Sequence, residues 1–181
     1  GVDISMLKRQ YSFKLHYKVE SKFLDHIDLD LARTYYKHTE YERADIIGAE
    51  FRILNYNGYL NFIHNKTGLF TRGTFGASID HRDFNIGGFV FSPPTRSFNA
   101  AVYLSEELRF SEKLSIELAA RYDRNNIDPK QVTQLANLDS VYSRRFNTFA
   151  VSLSGIYSFS KYLNSGVSIS RSSRVPTIEE L

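Results

Sequence analysis

Apolar and polar residues alternate along most of this chain, in one long segment after another. In the first of these segments, Tyr11, Phe13 and Leu15 alternate with Ser12 and Lys14. Because successive side chains of a β-strand point to opposite faces, this pattern predicts a strand with one apolar and one polar face. A strand of this kind must place its apolar face against a protein core or against lipid.

About eight such segments follow one another between residues 5 and 170, and no segment of useful length has a helical period. Short turns are expected near residues 22, 66, 112 and 160. Three polar stretches are interpreted as long loops: residues 38–45, residues 80–97 and residues 123–145.

The sequence therefore predicts an all-β fold, an antiparallel up-and-down meander of about eight long strands. Short turns at one end, long loops at the other, and strands of at least about 9–11 residues are typical of transmembrane β-barrels. These features favour a membrane sheet over a soluble one. A soluble β-barrel that binds a ligand and a passive outer-membrane porin remain as alternatives.

The composition narrows these possibilities. Apolar residues make up 42% of the chain and charged residues 24%, which is unlike a disordered segment. The chain contains no run of 18 apolar residues, so we expect no transmembrane helix. It has no cysteine, which excludes disulfides and thiolate chemistry. Its net charge of +3 comes from interspersed residues, so we expect no nucleic-acid binding.

Several short motifs, taken in order, are similar to those of one family. Residues 171–181 contain the pattern Arg-x-Pro-x-x-x-Glu-Leu, and residues 120–123 read Ala-Arg-Tyr-Asp. Residues 36–42, with the pattern Tyr-x-His-x-Glu-x-Glu, are like a segment found in a subgroup that includes zinc-uptake receptors, and residues 73–76 and 91–95 fit the same subgroup. On these motifs the chain resembles the β-barrel of TonB-dependent outer-membrane receptors.

The resemblance implies a larger assembly. Residues 1–181 would be one segment of a transmembrane barrel of about 22 strands, with the plug, the TonB box and the remaining strands outside the chain. The complete protein would lie in the outer membrane of a Gram-negative bacterium. It would import a metal ion or a metal complex of the siderophore, haem or zinc type. Its partners would be the lipid bilayer, its own plug domain and TonB, and its only expected metal is the cargo.

Four residues form a candidate metal site. His38, Glu40 and Glu42 lie in one expected outer loop, and His81 lies at the start of the next. Imidazole and carboxylate groups are ligands of Zn²⁺ and Cu²⁺. Neighbouring loops can converge over a barrel mouth, so we expect these residues to share an external site. The alternative is that they are solvated loop or lumen residues.

An enzymatic function is not expected. His81 lies beside Asp80 and near Asp83, but adjacent residues on a strand point to opposite faces. No nucleophile-elbow motif appears in the sequence. Arg171 and Arg174 are interpreted as partners of lumen or plug carboxylates, since arginine pairs bidentately with such groups.

Overall fold

The computed structural model describes residues 3–43, 46–88, 92–130 and 142–176, which form one antiparallel sheet of eight strands. Across those ranges no helix is present, and so none is long and apolar enough to cross a membrane. The strands are β1 (Asp3–Lys18), β2 (Leu24–Arg43), β3 (Ile46–His64), β4 (Phe70–Gly88), β5 (Thr95–Arg109), β6 (Leu114–Pro129), β7 (Arg144–Ser160) and β8 (Leu163–Ser172).

The strand order in space is the order along the chain, which confirms the predicted all-β meander. Each strand pairs with the next, and β1 and β8 make no contact with each other in the described part of the chain. As far as the described ranges go, the sheet is therefore open, with one unpaired edge at β1 and another at β8. All eight strands have the length that a tilted crossing of a bilayer requires, from 10 residues in β8 to 20 in β2.

The prediction of long loops was wrong in part. Strand β2 continues through residues 38–43, so the polar stretch assigned to a loop is a paired strand. Strands β4, β5, β6 and β7 also extend into the expected loops, so that within the described ranges only residues 92–94, 130 and 142–143 of those stretches lie outside strands. On β2 and β6 the reason is that polar residues occupy both faces of the strand end, so the alternation that marks a strand disappears while the backbone pairing continues. On β4, Phe84 and Ile86 lie on the face opposite the belt, so the alternation changes phase.

The connections define two ends of the sheet. The end with residues 19–23, 65–69, 110–113 and 161–162 is called the turn end, and the opposite end is called the loop end. The predicted turn at residues 65–68 is confirmed, because Thr67 and Phe70 form a β-bridge around Gly68, whose φ is +60°. Glycine adopts this left-handed conformation without steric cost.

One face of the sheet carries a continuous apolar belt, as the alternation predicted. Leu15, Leu29, Leu60, Ala77 and Val102 are successive cross-strand partners along one row of this apolar face. On β7 the belt continues as Phe149, Val151 and Leu153.

None of the residues that the structure describes forms a layer over the belt. Leu15 is 44% exposed, Val102 is 47% exposed and Leu153 is 46% exposed. Buried hydrophobic side chains among the described residues are limited to Ala49, Ile86 and Ala101. This sheet therefore encloses no protein core, and its apolar face must be covered by a different apolar medium.

Near the loop end the character of the two faces is reversed. On the face that carries the belt, Lys37 forms an ion pair with Glu50 at 2.7 Å, and Arg52 approaches the same carboxylate at 3.0 Å. On the opposite face, the rings of Phe51 and Phe84 stack with centroids 6.4 Å apart. The belt thus ends before the strands do, and the strand ends carry a charged outer wall.

Candidate functional site

The face opposite the belt, called the polar face, is built around an arginine on β6. The Arg121 guanidinium donates hydrogen bonds of 2.8–3.1 Å to the carboxylate of Asp123. It also donates to the hydroxyl of Ser78 on β4 at 3.2 Å and lies 5.5 Å from the ring centroid of Tyr103 on β5. One side chain thus links three strands through charge and hydrogen bonding.

A glycine on β4 allows a second link across three strands. The Tyr103 hydroxyl donates a 2.5 Å hydrogen bond to the side-chain oxygen of Asn61 on β3. The bond passes over Gly76, where an added Cβ would overlap both the Tyr103 ring and Asn61. Any larger residue at position 76 would therefore block this contact.

Amide and carboxylate groups continue the network along the polar face. Asn57 donates to Asp80, and Asn99 donates to Asp123 at 3.1 Å and to Asn125 at 2.6 Å. The face therefore offers many hydrogen-bonding groups held in place by one another. This arrangement suits a hydrated wall that contacts water, a polar ligand or another polar protein surface.

The structure brings two of the four predicted metal ligands together. His38 and Glu40 lie on the polar face at the loop end, with the Nε2 atom of His38 3.5 Å from the Oε1 atom of Glu40. The imidazole packs between Phe51, at a ring-centroid distance of 5.6 Å, and Tyr36, at 6.3 Å. Its Nε2 atom is buried and makes no hydrogen bond within the described ranges.

The other two predicted ligands are placed differently. The side chain of Glu42 packs against Gly48. A Cβ atom added to Gly48 would be 2.9 Å from the Cγ atom of Glu42. His81 lies on the apolar face, opposite Tyr56, and the two ring centroids are 6.3 Å apart.

The expected four-residue set is therefore divided between the two faces. The cross-strand partners of His38 and His81 on β3 are Phe51 and Tyr56, five residues apart and thus about 16 Å along the strand. His81 cannot share an ion with His38 in this arrangement. The expectation was incorrect on this point because residues 80–88 are strand, whereas convergence of the two groups required loops.

The structure also places Asp80 and Arg171, which the sequence analysis discussed beside the metal site. Asp80 accepts its hydrogen bond from Asn57 on the polar face, so it points away from His81, as the strand geometry predicted. Arg171 lies opposite the belt residue Val151 on the apolar face, and not on the polar face where carboxylates abound. Of the motif at residues 171–181, residues 177–181 lie outside the described ranges, as does residue 91 of the segment at 91–95.

A group of side chains that could ligate a metal ion lies at the turn end and was not predicted from the sequence. His16 on β1 and His26 and Asp28 on β2 have potential ligand atoms within 4.8 Å of one another. The signal that could have revealed them is the register of the first hairpin, because the turn at residues 19–23 places residue 16 opposite residue 28.

Comparisons with known proteins agree on the class of fold. A family model described as TonB dependent receptor-like, beta-barrel, matches residues 5–181. A solved structure named "Copper transporter OprC" is similar, with a TM-score of 0.71 and 11% sequence identity over 89% of this chain. The chain spans 29% of the length of that protein. No match is found among curated protein sequences.

Proposed function

Because the chain belongs to the family of TonB-dependent receptor β-barrels, we propose that it is part of a receptor that imports a scarce nutrient across a Gram-negative outer membrane. The observation that carries this proposal is the uncovered apolar belt on a single open sheet. Lipid is the medium that covers such a belt without a second protein layer. The opposite, polar face then lines the interior of a barrel.

In such a receptor, both edges of the sheet and its polar face contact other parts of the protein. Residues 1–181 form one segment of the barrel wall, and further strands pair with the edges at β1 and β8. A plug domain faces the hydrogen-bonding groups of the polar face. TonB supplies the energy for transport through the plug.

We further propose that the cargo is a metal ion or a metal complex. His38 and Glu40 support this proposal because a buried imidazole nitrogen that makes no hydrogen bond within the described ranges lies 3.5 Å from a carboxylate oxygen, on the polar face near the loop end. In the barrel this position lies on the outer side of the membrane, where cargo arrives. Glu42, on the same strand, is the third group that we assign to this site.

Uptake measurements in cells test the proposed transport. A strain that lacks the complete receptor is compared with the parent and with a strain that lacks TonB, using labelled metal ions and metal chelates. Import at low cargo concentration is expected to be lost in both mutant strains. Import that persists without TonB would identify a passive porin instead.

The residue-level prediction concerns the two histidines. His38→Ala in the complete receptor is expected to lower metal uptake several-fold, because it removes an imidazole ligand from the polar face. His81→Ala serves as the matched control, since His81 lies on the opposite face and its loss should leave uptake unchanged. Equal uptake in the parent and the His38 variant would show that His38 does not bind the cargo.

A further inference from the structure

The first hairpin places three potential metal ligands side by side at the turn end of the polar face. His16 lies directly opposite Asp28 in the register of β1 and β2, and His26 precedes Asp28 by two residues on the same face. Their nearest ligand atoms lie within 4.8 Å of one another. This group lies at the opposite end of the sheet from His38 and Glu40.

The carboxylate of Asp28 reaches both imidazoles, whose ring centroids are 4.5 Å apart. Its Oδ1 atom is 2.7 Å from Nδ1 of His16, and its Oδ2 atom is 3.5 Å from Nε2 of His26. Two ligand atoms bound to one tetrahedral zinc ion at about 2.0–2.1 Å are separated by about 3.3 Å. The spacing between His26 and Asp28 therefore matches that of two ligands around one ion.

A second carboxylate fixes the orientation of His26. The Oδ2 atom of Asp25 is 2.7 Å from Nδ1 of His26, so the other ring nitrogen, Nε2, points toward Asp28. Histidines that bind metals commonly donate their second ring N–H to a carboxylate in this way, which fixes the tautomer and makes the ligand more basic. Asp25 thus has the geometry of an outer partner to a metal ligand.

We propose that His16, His26 and Asp28 form a binding site for a divalent transition metal ion of the Zn²⁺ or Cu²⁺ class. Two imidazole nitrogens and one carboxylate oxygen are a suitable donor set for these ions. The side chain of His16 is 65% exposed, so a fourth coordination position is open to solvent or to a group on a facing surface. The site is independent of the nature of the imported cargo.

The surrounding charges permit a cation at this position. Lys18 lies opposite His26 and opposes cation binding, whereas Asp25 and Asp28 contribute two negative charges. Lys14 is engaged with Asp30 at 3.1 Å. A site with three protein ligands and a nearby lysine is expected to exchange its ion more readily than a closed structural zinc site.

Zn²⁺ binding to the complete receptor in detergent tests the proposal. The protein is stripped of metal with a chelator and titrated with Zn²⁺ alone, and the stoichiometry and dissociation constants are measured for the parent and for the His26→Gln variant. His64→Gln is the matched control: His64 also lies at the turn end, but its Nε2 atom is bonded to Glu106, at 2.8 Å, on the apolar face. Circular dichroism in detergent checks that each variant is folded.

The parent and the His64 variant are expected to bind one more Zn²⁺ ion per receptor than the His26 variant. Asp25→Asn retains all three ligands and is expected to lower the affinity for the same Zn²⁺ ion by about tenfold. With Cu²⁺ as the probe, the electron paramagnetic resonance spectrum should show coupling to two imidazole nitrogens in the parent but not in the His26 variant. Equal stoichiometry and affinity in all four proteins would show that His16 and His26 form hydrogen bonds only.

Discussion

At the scale of single residues, glycine holds positions where a side chain would disturb the backbone. Gly88 ends β4 with φ at +74°, and an added Cβ would be 2.5 Å from the carbonyl oxygen of Gly48 on the neighbouring strand. By contrast, Gly155 on β7 has no atom within 4 Å of an added Cβ. The two glycines therefore form a matched pair, one required by its surroundings and one not.

Alanine substitution at these glycines should have unequal effects. Gly88→Ala is expected to lower the free energy of unfolding by at least about 1–2 kcal/mol, the cost of a left-handed conformation for an L-residue. Gly155→Ala is expected to be neutral or stabilising by up to about 1 kcal/mol, since it restricts the unfolded chain without a native clash. Denaturant titrations of the complete receptor in detergent measure both, and equal destabilisation would contradict the prediction.

The sequence could predict some residue-level features and not others. Alternation placed Tyr11, Phe13 and Leu15 on one face, because that relation follows from the period of a strand. It could not place His16 next to Asp28, because that contact depends on the exact register across a turn. His81 was misplaced because the sequence analysis assigned its segment to a loop.

At the scale of single strands, the position of the belt decides which substitutions are tolerated. Leu153 on β7 lies in the belt between Leu118 and Ile169, whereas the adjacent Ser152 points to the polar face. The centre of each strand was predicted well because its two faces differ strongly in polarity. The strand ends were predicted poorly because both faces carry polar groups there, as with Lys37 and Glu40 on β2.

Arginine substitution at these neighbouring positions tests the assignment of faces. Leu153→Arg is expected to destabilise the receptor in a bilayer by up to about 2–4 kcal/mol, since arginine on the lipid face of a barrel costs this much at the midplane and less toward the interfaces. Ser152→Arg is expected to be much less costly, because its side chain enters the polar interior. Unfolding titrations in liposomes measure the difference, and a larger cost at position 152 would reverse the assignment.

At the scale of the whole molecule, the dominant feature is an open sheet with two free edges. The alternation of residues predicted the meander, because strands joined by short connections pair with their neighbours. It did not reveal that the charged outer wall of Lys37, Glu50 and Arg52 extends beyond the belt. In the receptor proposed here, further strands cover both edges and lipid covers the belt.

Removed from that environment, the 181-residue chain should not remain a soluble monomer. The unpaired backbone groups of β1 and β8 and the uncovered belt both promote association with other chains. Sedimentation velocity in detergent-free buffer is expected to show large aggregates. A stable monomer at high protein concentration would favour a soluble β-protein.

Contact between the apolar face and lipid is the central feature of the proposed barrel wall. This chain contains no cysteine, so once any cysteine elsewhere in the complete receptor is replaced by serine, single nitroxide labels can be attached by cysteine substitution at residues 148–153 of β7, with the receptor in liposomes. Accessibility to oxygen, which concentrates in the bilayer, should be high at positions 149, 151 and 153 and low at positions 148, 150 and 152. Uniform accessibility, or alternation with the opposite phase, would contradict the membrane assignment.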